Sequence, residues 1–220
     1  ENLCYGQTDM PLAPSFRKDL LRIKSLLPPS VEAFYCSSLS RTKILAHELA
    51  NGMTVCSDSR IDEIHFGLWE GRKWNTIPAE NLDDWNRNLS VFRFPEGESY
   101  PELQIRVAAF FKELETLTTR LSSVAVITHA GVIRCLLSGL LNLSVQQSLK
   151  ITLDYGGITE ICMEPTKYSI SFINRLIPAQ DPSFSDPEKL GVYRSIHERR
   201  DMRHFSGCLL YTSPSPRDSD

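Results

Sequence analysis

"SVAVITHAGVIRCLL", residues 123–137, is the stretch whose reading decides the fold. Val124–Ile127 form a continuous apolar run, the pattern of a strand buried on both faces of a sheet. The run stops at Thr128 and His129, a small residue and a glycine follow, and an apolar run of helical type begins at Val132. A buried strand leading into a helix is half of a βαβ unit. At such a junction the free N–H groups of the helix start and its dipole make an anion site. Ala130 and Gly131 let a ligand approach the backbone closely. His129 in that place either donates to a phosphoryl oxygen or serves as a satisfied histidine at a strand end, and this stretch alone leaves both open.

The elements on either side agree with that reading. Phe16, Leu20, Ile23 and Leu27 recur at helical spacing in "APSFRKDLLRIKSLL", which Pro28 and Pro29 stop. "VEAFYCSSL" reads as a strand. "SRTKILAHELANG" reads as a helix, with Ser40 as N-cap and Gly52 as terminator. "DSRIDEIHFGLWEG" has no period and reads as a loop, and residues 79–91 suit a short helix. In "GESYPELQIRVAAFFKELETL" the residues Leu103, Val107, Phe110, Phe111, Leu114 and Leu117 form one stripe, and Ser99 with Glu102 fits a capping box. "ITEICME" and "YSISFINRL" read as a hairpin turning near Pro165–Lys167. The expected fold is α/β: a three-layer sandwich with a mostly parallel central sheet flanked by helices.

The 220 residues, 41% of them hydrophobic, suffice for one core. A net charge of −3 gives no global basic field for nucleic acid or an anionic membrane, so neither is expected as a partner. The six cysteines, at 4, 36, 56, 135, 162 and 208, show no metal-ligand spacing and read as buried, reduced thiols of a cytoplasmic protein. No apolar stretch reaches the ~18 residues of a membrane span. The chain starts at Glu1, so its start says nothing about a leader.

Two further stretches carry candidate chemistry. In "CSSLSRTKILA", Arg41 sits one turn into a helix that follows a strand, facing the carboxyl edge of the sheet. Its fork suits a phosphate, and it reads equally as a surface arginine. In "DEIHFGLWEG", Glu63 stands among Ile61, Ile64 and Phe66, a setting that raises a carboxyl pKa and fits it for proton transfer. It reads otherwise as a solvated loop carboxylate, Glu70 as a helix-start acid, and His65 and Trp69 as packing residues.

Together and in this order, "SSLSR" (Arg41), "DEIHFGLWEG" (Glu63), "GES" at 97–99 and "VITHAG" (His129) resemble the histidine phosphatases, the phosphoglycerate mutase-like superfamily, over residues 1–177. "LCYGQTDMPL" followed by "THAG" is most similar to the α-ribazole phosphatases within it. The resemblance implies a cytoplasmic phosphomonoester hydrolase that acts through a phosphohistidine without a cofactor or metal, in the nucleotide-loop branch of cobalamin biosynthesis. A broad-specificity phosphatase and a non-catalytic phosphate-binding module stay open beside it. It implies Arg41 and His129 as phosphate ligands, with Ala130 and Gly131 beside them, and Glu63 as proton donor. Tyr5, Gly6 and Ser99 would line the substrate mouth. The family's Arg-His-Gly triplet, which carries its nucleophile, does not occur in these residues. It would stand ahead of Cys4, and so would the first strand. We therefore expect a truncated N-terminus and negligible turnover by the 220 residues alone.

After Ile177 the composition changes. Residues 178–190 read as a Pro/Ser/Asp-rich linker. Residues 191–207 resemble the opening of the flavin-dependent 5,6-dimethylbenzimidazole synthases, which have a nitroreductase-like fold. In that family arginines matching Arg199, Arg200 and Arg203 lie near the flavin phosphate, so FMN is expected only for the remainder of such a domain. Residues 208–220 read as a translated sequencing adapter that fits no core.

Overall fold

Strand β3 (Ser123–Thr128) is buried along its whole length, and its side chains alternate between two cores. Val124 and Val126 point into one, Ala125 and Ile127 into the other. Strand β1 (Ala33–Cys36) lies parallel beside it and alternates likewise. The computed structural model describes residues 3–118, 121–164, 167–176 and 207–212. Among these, six strands form one sheet in the order β2-β1-β3-β6-β4-β5. Strands β2 (Val55–Ser57), β1, β3 and β6 (Gly207–Thr212) run parallel; β4 (Ile158–Glu164) is antiparallel to both β6 and β5 (Lys167–Arg175). The expected hairpin is therefore present.

Helices α1 (Phe16–Lys24) and α2 (Ser40–Ala50) cover one face through Leu20, Ile23, Leu45 and Leu49. Helices α4 (Tyr100–Thr118) and α5 (Ala130–Leu141) cover the other through Leu103, Val107, Phe110, Ile133 and Leu137. Two shorter helices, α3 (Ala79–Arg87) and α6 (Val145–Ser148), flank that second layer. This is the three-layer α/β sandwich that the periodicity predicts. No helix among the described residues is long and apolar enough to cross a membrane.

Four local expectations are corrected. Leu39, in an extended conformation, is the N-cap of α2, and Ser40 is its first helical residue. Asn51, at φ 48°, takes the left-handed C-cap ahead of Gly52. Cys56 is exposed, whereas Cys4, Cys36, Cys135 and Cys162 are buried; burial pushes the Cys4 and Cys135 thiols up to about 12. Finally, "CLLYT" lies inside the sheet. Gly207–Thr212 pairs residue for residue with Ser123–Thr128 on one side and with β4 on the other. The facing edges of two buried strands need backbone partners, and a six-residue strand supplies them. The linker, 178–190, and nearly all of 191–207, with Arg199, Arg200 and Arg203, lie outside the described residues.

Candidate active site

The site lies where the chain reverses across the sheet. From β1 the chain runs outward through α2 to β2, and it returns through α4 to β3 on the other side of β1. The helices that follow β1 and β3 thus leave on opposite faces. Their diverging starts open a crevice beyond the carboxyl ends of the strands, the place where such sheets bind ligands.

Arg41 enters this crevice from the first turn of α2 and is only 2% exposed. Its Nη2 donates to Gly6 O at 2.5 Å and stands 3.3 Å from His129 Nδ1; its Nη1 donates to Thr8 O at 2.9 Å. Its Nε is buried without a partner among the described residues. Burial lowers the guanidinium pKa, against the raising influence of Glu63, Tyr5, Asp9 and Glu70.

His129 is the extended N-cap of α5. Its Nε2 lies 2.7 Å from Ser37 Oγ, on the turn that follows β1. Because arginine can only donate, Nδ1 is the acceptor, and the ring hydrogen sits on Nε2. Burial, then the charges of Arg41 and Arg106, hold the imidazole well below the usual histidine range, so it is neutral. An unfolded chain binds a proton near pH 6.5 that the folded ring refuses, so stability falls as pH drops below that value. Urea denaturation at pH 7.5 and pH 5 should therefore show a smaller acid loss in His129→Gln than in the parent, by about 1–2 kcal/mol. An equal loss would show that His129 is already charged.

Glu63 arrives from the irregular 58–70 segment. Its Oε2 accepts from Gly131 N at 3.1 Å and its Oε1 from Ile64 N at 3.0 Å. Burial raises its pKa despite these two bonds and the charges of Arg41 and Arg106. The carboxyl packs so closely on α5 that a Cβ at Gly131 would sit 2.1 Å from Oε1. Gly131 is thus required by an approaching side chain of this same chain.

The structure brings the four remaining predicted residues near this group or apart from it. Ala130 opens α5 beside His129. Gly6 presents its carbonyl to Arg41, and a Cβ there would strike Ile64 O. The Tyr5 ring lies under the Arg41 guanidinium at 5.8 Å, and its hydroxyl meets that of Tyr155. Ser99 is used elsewhere: its N–H and hydroxyl both donate to Glu102 at the start of α4. Glu70 is no helix-start acid. Its carboxylate accepts from Gln7 N, Phe66 N, Thr8 N and the Thr8 hydroxyl, pinning the 6–8 segment over Arg41. Burial pushes that carboxyl up, but these donors prevail and hold it below the usual range. Trp69 packs in an aromatic cluster as expected, while His65 stays partly exposed and is tied by its backbone to Glu98.

Sequence reasoning missed Ser37, Glu70, Asp62 and Arg106. Asp62 accepts from Ser38 N and Ser38 Oγ and so joins the 58–70 segment to the β1–α2 turn. No periodic signal marks such residues, since their partners are remote in sequence. Among the described residues no group of acidic, histidine and cysteine side chains could hold a metal ion.

The model of the histidine phosphatase superfamily (branch 1) matches residues 1–175. The chain belongs to that superfamily. This histidine phosphatase chain is 26% identical over 182 residues to a Hydrogenobacter thermophilus protein named as phosphoserine phosphatase 2, spanning 80% of this chain and 89% of that one. It is 27% identical over 168 residues to an Escherichia coli protein named as phosphoglycerate mutase GpmB, spanning 73% and 77%. Among solved structures, the α-ribazole phosphatase of Shigella flexneri superposes with a TM-score of 0.72 at 21% identity, covering 82% of this chain and 92% of that one. At that identity the superposition shows a shared histidine phosphatase fold.

Proposed function

We propose that this histidine phosphatase domain hydrolyses a phosphomonoester whose phosphoryl group is gripped by Arg41, by His129 when its Nε2–H exchanges Ser37 for a phosphoryl oxygen, and by the start of α5, with Glu63 transferring the proton to the leaving oxygen. The observation that carries this reading is the convergence of Arg41, His129 and Gly131 with a carboxyl of raised pKa at one sheet edge. A buried cation and aligned donors stabilise the charge that spreads over a phosphoryl group in transfer. A protonated Glu63 can give its proton to an alkoxide and then take one from water. The attacking group would be the histidine of an Arg-His-Gly segment upstream of Glu1, forming a phosphohistidine. No proposed step needs a metal.

Among phosphomonoesters we propose α-ribazole 5′-phosphate, which would place the domain in the nucleotide-loop branch of cobalamin biosynthesis. Support comes from a cavity of about 140 Å3 that opens beside Glu63 and Gly131 and is walled by Phe66, Trp85, Leu89, Phe92 and Phe94. A flat aromatic base suits such walls; Arg134, also in the lining, is the group that a carboxylate of phosphoserine or phosphoglycerate would seek. Burying about 100 Å2 of ring would favour binding by roughly 2.5 kcal/mol. The test is turnover by the chain extended upstream through an Arg-His-Gly segment. We expect kcat/KM for α-ribazole 5′-phosphate to exceed that for O-phosphoserine at least about tenfold. Equal values would favour a broad-specificity phosphatase. Phosphate binding without turnover in that extended chain would favour a binding module.

A further inference from the structure

We propose that Arg106 is a positioning residue for Glu63, an inference that rests on the phosphomonoester reading above. Arg106 lies on α4 beside Leu103 and Val107, so it points inward where the helix stripe would otherwise be apolar. Its side chain is 18% exposed, and all five of its N–H donors are used. Nε and one Nη2 hydrogen go to the two oxygens of Glu98, at 2.6 and 2.8 Å. The other three reach main-chain carbonyls of the segment that bears the acid: Arg60 O at 2.9 Å, Asp62 O at 2.6 Å and Glu63 O at 3.0 Å.

The 60–65 segment has a single 3₁₀ turn, Ser59–Ile61, and no strand partner, so the carbonyls of residues 60–63 take side-chain donors. Gln7 supplies one more, to Glu63 O. Glu98 completes the clamp from the far end: its carboxylate accepts from His65 N, and its N–H donates to His65 O. The pair therefore holds the backbone on both sides of Glu63, while Gly131 N fixes the carboxyl itself. A proton donor displaced by about 1 Å can lose up to ~10²-fold in rate. A planar five-donor fork is needed for this; a lysine ammonium has three donors and no fixed plane.

The experiment compares two substrates in the upstream-extended chain: a simple alkyl phosphate, whose leaving oxygen needs a proton, and 2,4-dinitrophenyl phosphate, whose leaving oxygen does not. We expect Arg106→Met to lower kcat/KM, which reports the phosphoryl-transfer step and not the later hydrolysis shared by both esters, about tenfold or more on the alkyl ester and within about threefold on the dinitrophenyl ester. Arg106→Lys should recover little. Should Arg106→Met fail to fold, Glu98→Gln, which keeps the arginine, decides the matter through the same substrate split at smaller amplitude. A parallel fall in kcat/KM on both esters, or no fall on either, would overturn the inference. Absence of turnover on either ester by the parent would instead sink the phosphomonoester reading.

Discussion

Replacing Arg41 with methionine is expected to abolish detectable binding of orthovanadate and to cut turnover by the upstream-extended chain at least ~10²–10³-fold. Loss of one aligned donor to a transferring group costs about 3–4 kcal/mol, and Arg41 supplies a buried cation that touches His129 directly. The same change strips a donor from Gly6 O and Thr8 O, so the 6–8 segment, still pinned by Glu70, should also loosen over the site. Arg41→Lys keeps the charge but not the fork, and should recover only part of the binding. Isothermal titration of vanadate on the 220 residues, together with thermal melting, separates the two effects. Vanadate affinity within about threefold of the parent in a folded Arg41→Met protein would remove Arg41 from the phosphate site.

Glu63→Gln is the second large effect. A glutamine fills the same space over Gly131, but its single oxygen keeps only one of the bonds from Gly131 N and Ile64 N, so the fold and phosphate binding should persist at a modest cost in stability. It cannot deliver a proton. The kcat/KM for alkyl phosphates in the extended chain should therefore fall about 10²–10⁴-fold, with much less loss of kcat/KM on 2,4-dinitrophenyl phosphate, while kcat, which includes hydrolysis of the phosphohistidine, should fall on both. The raised pKa adds a check in pH. The rate on alkyl esters should decline as pH rises through the Glu63 value, since the acid form is the one used, and this limb should vanish in Glu63→Gln. Equal losses of kcat/KM on both esters would assign Glu63 a packing role.

Much of the scaffold was legible because its causes are local. The stripe from Leu103 to Leu114, the apolar Val124–Ile127 and the proline stop after α1 each state a period or a break within a few residues. What escaped was short or remote. Strand β2 has three residues and little hydrophobic signal. Helix α6 did leave a mark, the Ser144–Gln147 capping box, which four residues of helix made easy to pass over. Ser99 shows how one residue type serves two readings: its pairing with Glu102 was legible, though the hydroxyl donates to the Glu102 carboxylate instead of accepting from the Glu102 N–H as in a capping box.

By itself the sequence determined the kind and order of helices α1, α2, α4 and α5 and strands β1, β3, β4 and β5, and that a buried strand hands over to a helix at His129, because hydrophobic period and chain-breaking residues act over one or two turns. Only the tertiary structure decided which groups meet. Arg41 and His129 lie 88 residues apart, Glu63 and Gly131 68 apart, and the aromatic cavity, the Glu70 pin and the five bonds of Arg106 join segments with no local reason to know of each other. Burial then set their charge states, as desolvation raised the Glu63 pKa and lowered that of His129. Neither shift could be read from a string of residues, since both depend on how much water the fold excludes.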